Sequence, residues 1–168
     1  MNWLMVPLVL AVGFQTPADE EKAKDGARLK AAMAATGFKY ETTASGLSYA
    51  LAFEHEQGKT QKVYVTIDGS QVGIQRYHSI YTGVWAGPKE PDAALIKKAM
   101  SSTKKLGHFY AFKDVNGVWS IRFMVQIETT RLPEQPGLTH PQIENLKDVL
   151  YFVDQVGFET AKQLAEGK

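Results

Sequence analysis

Between Phe38 and Val84 apolar residues recur at alternate positions, and the stretch is cut at intervals by a polar residue followed by glycine. In FKYETTA, LSYALAFEHE, QKVYVTID and QVGIQRYHSIYTGV the period is that of extended backbone, whose successive side chains point to opposite faces. Ser45-Gly46, Gln57-Gly58 and Asp68-Gly69 separate the four segments, and such pairs reverse a chain within a few residues. Strands joined this tightly pair antiparallel, because a parallel partner needs a crossover of about a dozen residues or more. In the second segment Leu47, Tyr49, Leu51 and Phe53 alternate with Ser48, Ala50, Ala52 and Glu54, so one face is built for a core and the other for lighter covering. Val63, Val65 and Ile67 continue the core face.

Helical patterns flank and interrupt the strands. ADEEKAKDGARLKAAMAATG reads as an alanine-rich helix ending at Gly37, with Asp19, Glu20 and Glu21 complementing its N-terminal dipole. Its stripe is thin: Leu29 and Met33 lie four apart, with Ala23, Ala27 and Ala34 expected to pack beside them. TGVWAGPKEP reads as a loop leading into the helix PDAALIKKAMSSTKK, capped by Asp92 and apolar at Leu95, Ile96, Ala99 and Met100. GHFYAFKDV and VWSIRFMVQIETT flank Asn116-Gly117, which suits a two-residue type I′ hairpin. The last helix starts after Thr139-His140-Pro141 and sets Leu146, Val149, Leu150, Val153, Gly157, Ala161 and Leu164 on one face, ready to cover the sheet. The order α-β-β-β-(β)-α-β-β-α defines an α+β protein with one antiparallel sheet of about five to six strands.

The first eighteen residues, MNWLMVPLVLAVGFQTPA, carry no charged side chain and hold an apolar run from Leu4 to Phe14. That run matches a secretory h-region of about 7–15 residues. It is too short for a membrane span, which needs roughly 20. Residues 1–18 are therefore expected to be a signal peptide cleaved between Gly13 and Ala18, although the α-amino group is the only positive charge of its n-region. Residues 19–168 form the single domain, destined for the periplasm or secretion.

Without cysteine the chain has no disulfide, no thiolate metal site and no cysteine nucleophile. A formal charge of +1 gives no field to recruit nucleic acid or anionic lipid. Gly58-Lys59-Thr60 has the end of a phosphate-binding loop, but Phe53 stands where the first glycine belongs, so it reads as a turn. Ser101-Ser102-Thr103-Lys104 has the serine–lysine spacing of penicillin-recognising enzymes without their companion motifs, and reads as a solvated helix end. His55, His78, His108 and His140 are scattered, none with a ligand at helical metal-site spacing. Glu54 and Glu56 can converge on one side of their strand while His55 faces away. Lys97, Lys98, Lys104 and Lys105 make a local basic patch, read as a solvated face.

The order of elements and the second half of the chain, Ala94 to Leu164, resemble the bacterial YbjN family of type III secretion chaperone-like domains, and the resemblance covers about Leu29 to Leu164. A short helix leads through Leu106-Gly107-His108-Phe109 into a hairpin, the terminal helix carries the segment Val149 to Gly157, and Gly37-Phe38-Lys39-Tyr40 stands where that family opens its first strand. The long fourth segment, Trp85 and the signal sequence depart from its usual pattern. The resemblance implies a dimer-prone binding scaffold with no catalytic residues to carry over.

These observations lead to an expectation of an exported, non-enzymatic protein-binding or chaperone-like domain. It would be a homodimer with an unidentified protein partner, no cofactor, no metal, no nucleic acid and no stable membrane span once the signal is removed. Tyr77, Tyr81 and Trp85, running from a strand into a loop, are the candidate partner contacts, with core packing as the competing reading for Trp85. Two alternatives stand beside it. One is a small hydrolase or lyase with a histidine-lined pocket on the sheet face, using His78 or His108 as base. The other is an apolar-ligand carrier, which requires an unfilled cavity between the last helix and the sheet.

Overall fold

A computed structural model of the chain describes residues 17–101, 106–130, 132 and 141–166. The expected signal peptide lies almost wholly outside them, as do Thr139, His140, Lys104 and Lys105. The elements run α1 (Pro17–Ala35), β1 (Tyr40–Thr42), β2 (Ser48–Glu54), β3 (Thr60–Thr66), β4 (Ser70–Val72), β5 (Gln75–Gly87), α2 (Ala93–Ser101), β6 (His108–Lys113), β7 (Trp119–Glu128) and α3 (Pro141–Ala165). Among the described residues seven strands make one antiparallel sheet in the order β1-β2-β3-β5-β7-β6, with β4 paired to the start of β5. The α+β class and the order of elements are those the sequence pattern implies. The long fourth segment folds on itself at Gly73, which has φ 61°, and this adds a strand beyond the five to six expected.

The three described helices lie on one face. Val63 and Val65 of β3, Ile80 of β5, and Ile121 and Phe123 of β7 meet Leu146, Leu150 and Val153 of α3 in a core that also takes Leu29 and Met33 of α1 and Ala99 of α2. At about 1.5–3 kcal/mol of transfer free energy for each large side chain, this face supplies the folding drive. α3 reaches the sheet at Gly157, where a Cβ would collide with the Thr82 methyl group.

Several local expectations are corrected. In α1 the buried residues are Asp25, Leu29, Ala32, Met33 and Ala35, continued by Thr36 just after the helix, while Ala23, Ala27 and Ala34 are exposed. The helix turns its longer side chains inward, and Asp25 among them has a buried partner. β5 continues to Gly87, so Trp85 belongs to a strand and not to a loop. The register against β7 shifts between Gly83 and Trp85. This bulge puts Val84 and Trp85 together opposite Ile121, on the covered face, and the Trp85 ring lies where a Cβ on Gly87 would meet it at 2.6 Å. Leu47 and Met100 are exposed, although the periodicity assigns them to core faces.

The β6–β7 turn is also longer than a two-residue hairpin. Gly117 N–H donates to Asp114 O at 3.0 Å and Asp114 N–H to Val118 O at 2.9 Å, while Gly117 alone takes a positive φ of 82°. Asp114 Oδ1 accepts the amides of Asn116 and Val118 at 2.9 and 2.8 Å. A side chain that draws in two turn amides favours the wider loop over a type I′ turn.

Candidate functional site

Two histidines are built into the covered face. His78 of β5 is fully buried. Its Nδ1 faces the Thr66 carbonyl oxygen at 2.7 Å and therefore donates to it, while Nε2 lies 2.9 Å from Asp25 Oδ2. The Thr129 hydroxyl donates to the other Asp25 oxygen at 3.0 Å. Every polar atom of the histidine is thus engaged, and no substrate could reach it as a base. His55, after β2, pairs through Nε2 with Asp154 Oδ1 of α3 at 2.9 Å and stacks on Phe158 with ring centroids 3.8 Å apart. Burial pushes the Asp154 carboxyl above its usual range, opposed by the hydrogen bond and the charge of His55. Among the described residues no cluster of three or more histidine or acidic side chains could hold a metal ion.

The opposite face of the sheet has no helix over it among the described residues. Alternation places Ala52, Lys62, Tyr64, Tyr81, Gly83, Arg122, Met124, Tyr110 and Phe112 there, half-buried or exposed. Tyr64 and Tyr81 are cross-strand partners with stacked rings, 5.2 Å apart and 17° from parallel. The Arg122 guanidinium carbon lies over the Tyr81 ring at 5.1 Å and over the Phe112 ring at 4.1 Å, and Arg122 Nε donates to Ser120 Oγ at 3.2 Å. The result is a continuous ladder of rings with one cation set into it. A shallow groove of about 530 Å³ runs along the β5 bulge, bordered by Tyr64, Tyr81, Trp85, Ser120 and Arg122.

Of the three expected contact residues, the structure places Tyr81 at the centre of this ladder. Trp85 borders the groove with its side chain turned to the covered face by the bulge. Tyr77 lies further along β5, opposite Ser70 and Glu128, where its hydroxyl donates to Gln75 Oε1 at 2.8 Å. His108 stands exposed at the start of the edge strand β6, its ring 6.1 Å from that of Tyr110. Tyr64, Phe112 and Arg122 escaped the sequence reading because which side chains become cross-strand neighbours depends on the pairing of β5 with β7, across thirty-odd residues of intervening chain. The alternation Ser120, Arg122, Met124 against Ile121, Phe123 was the available signal.

A second concavity, about 570 Å³, lies between α3 and β7 and is walled by Leu106, Val125, Ile127, Leu146, Val149 and Phe152, with polar groups such as Asn145 and Asp148 at its rim. No helix is long and apolar enough to cross a membrane among the described residues. No protein-family model, curated protein or solved structure matches the chain.

Proposed function

We propose that the chain is an exported, non-enzymatic protein-binding domain that engages its partner through the helix-free face of the sheet. The observation that carries this reading is the Tyr64–Tyr81–Arg122–Phe112 ladder, which sets aromatic rings and an arginine, the residue types enriched in binding hot spots, on a rigid surface with no helix over it. The histidines of the covered face have structural partners, which leaves the binding reading stronger than a hydrolase or lyase reading based on His78. The apolar leader supports export, and the order of elements behind the YbjN-like resemblance supports a dimeric chaperone-like scaffold.

The test compares capture by the wild-type chain and by a Tyr64→Ser/Tyr81→Ser variant from envelope extract, quantified by mass spectrometry. A partner recovered by the first and lost from the second supports the reading, and equal recovery overturns it. Light scattering tests the dimer, which a strict monomer at high concentration would remove.

A second reading, carriage of an apolar ligand, draws on the concavity between α3 and β7, which has the volume of a small-molecule site. Binding of an apolar fluorescent probe that a Val149→Trp substitution blocks would favour it.

A further inference from the structure

The helix-free face contains a gap whose position indicates what it recognises. Gly83 pairs with Arg122 on one side, and on the other the pairing of Val63 with Thr82 carries Lys62 alongside it. Strands lie about 4.8 Å apart, so the two cations flank a position without a side chain at a spacing of about 10 Å between backbones. A Cβ on Gly83 would meet nothing within 4 Å, and its backbone is not left-handed. Neither a close contact nor a left-handed backbone therefore calls for glycine at this position, which borders the β5 bulge.

Arg122 is held for contact with something outside the chain. Two rings cover its guanidinium and Ser120 takes Nε, so the group is fixed in orientation while its terminal nitrogens have no acidic partner among the described residues. Lys62 is likewise without one. An arginine fixed in this way presents the planar fork that matches a carboxylate with two parallel hydrogen bonds. The positive charge is also local. Glu41 and Glu54 stand on the same face of the sheet, so the two cations make one local site and not the track of cations that a phosphate backbone needs.

We propose that Arg122 and Lys62 around the Gly83 gap form a carboxylate-binding subsite, and that the partner of this face presents an acidic segment, with an Asp or Glu side chain seated in the gap and apolar neighbours laid on the Tyr64–Tyr81 stack. This rests on the protein-binding reading above and names the chemistry of its partner.

The experiment is fluorescence anisotropy of a dansyl-labelled peptide, Glu-Tyr-Glu-Phe-Glu-Tyr with blocked ends, titrated with the full chain. Its controls are the same peptide with lysine for glutamate, and single-stranded oligothymidine. The acidic peptide should bind at least about tenfold more tightly than the lysine peptide, and Arg122→Gln should remove about that factor. Gly83→Ala, whose Cβ meets nothing within 4 Å, should weaken binding by partly filling the gap while the circular dichroism spectrum and urea midpoint stay those of the wild type. No binding of the acidic peptide, equal binding of the two peptides, indifference to both substitutions, or tighter binding of oligothymidine would each overturn the subsite. Partner capture that depends on Tyr64 and Tyr81 but not on Arg122 would sink the subsite and leave the protein-binding reading standing. Loss of that tyrosine dependence as well would end both.

Discussion

His78 Nε2 lies 2.9 Å from Asp25 Oδ2, and this buried pair ties α1 to the central strand of the sheet. Its remaining valences are filled by Thr66 O and the Thr129 hydroxyl, so the four groups join α1, β3, β5 and the end of β7 in one polar knot. Taking either member away leaves the other buried without its hydrogen-bond partner, which costs about 1–3 kcal/mol. Asp25→Ala and His78→Ala should each lower stability by that order, and the double variant by about 1–3 kcal/mol less than their sum. Urea unfolding of the four proteins gives the coupling, and strict additivity would show that the two do not act as a pair.

The crossing of α3 over the sheet should be equally specific. A Cβ on Gly157 collides with the Thr82 methyl group and comes within 3.2 Å of Gln61 Nε2. Gly157→Ala should therefore destabilise by about 1–3 kcal/mol through overpacking, although alanine gains up to about 1 kcal/mol over glycine in a helix interior. Thr82→Ser keeps the hydroxyl that donates to Lys62 O at 2.7 Å and removes the methyl, so the double variant should recover most of the loss. Gly26 in α1 is the control. Its Cβ would meet nothing within 4 Å, and Gly26→Ala should stabilise by up to about 1 kcal/mol. Thermal melts of the four variants check the signs.

The contrast between these glycines shows what the sequence could and could not reveal. Helical period marked Gly157 as a face residue, and alternation marked the core sides of β2 and β3, because both depend on local geometry. The elements and their order followed from the same periods. Partnerships did not, since nothing local distinguishes Asp25 from the exposed acids around it until His78, fifty-three residues on, is placed beside it. Trp85 was misplaced for the same kind of reason. A bulge is one extra residue in one strand, visible only against the register of its neighbour β7, and it changes which face the side chain joins. The aromatic ladder required that register too, which is why only Tyr81 of its members was foreseen.

The turn between β6 and β7 gives a sharper local test. Asp114 Oδ1 accepts two amides, from Asn116 and Val118, and so satisfies donors that the turn would otherwise leave to water. Asp114→Ala should cost about 1 kcal/mol, as loss of a comparable capping bond does. Asp114→Asn keeps an acceptor oxygen and should restore most of that. If the turn were held by Asn116-Gly117 alone, neither substitution at Asp114 would move the urea midpoint, whereas Asn116→Ala would.

Asp154 supplies a pH signature. Burial raises its carboxyl in the folded chain, with the hydrogen bond and charge of His55 pulling the other way, whereas in the unfolded chain it titrates near the ordinary value of about 3.9. The folded state thus keeps the proton to a higher pH than the unfolded state does. Below the ordinary value both states are protonated and the residue contributes no pH dependence. As pH rises from there to the raised value, the unfolded chain ionises first and stability falls, and above the raised value the difference is constant. Asp154→Asn cannot ionise, so the stability of the wild type relative to this variant should fall as pH rises from about 4 and then level off. His55→Ala takes away both opposing influences, leaves burial alone and should extend the fall to higher pH. Urea midpoints at intervals across this range provide the measurement. A difference between wild type and Asp154→Asn that rises with pH would mean that the pairing with His55 outweighs burial, and that this contact in the middle of α3 contributes net stability to the fold.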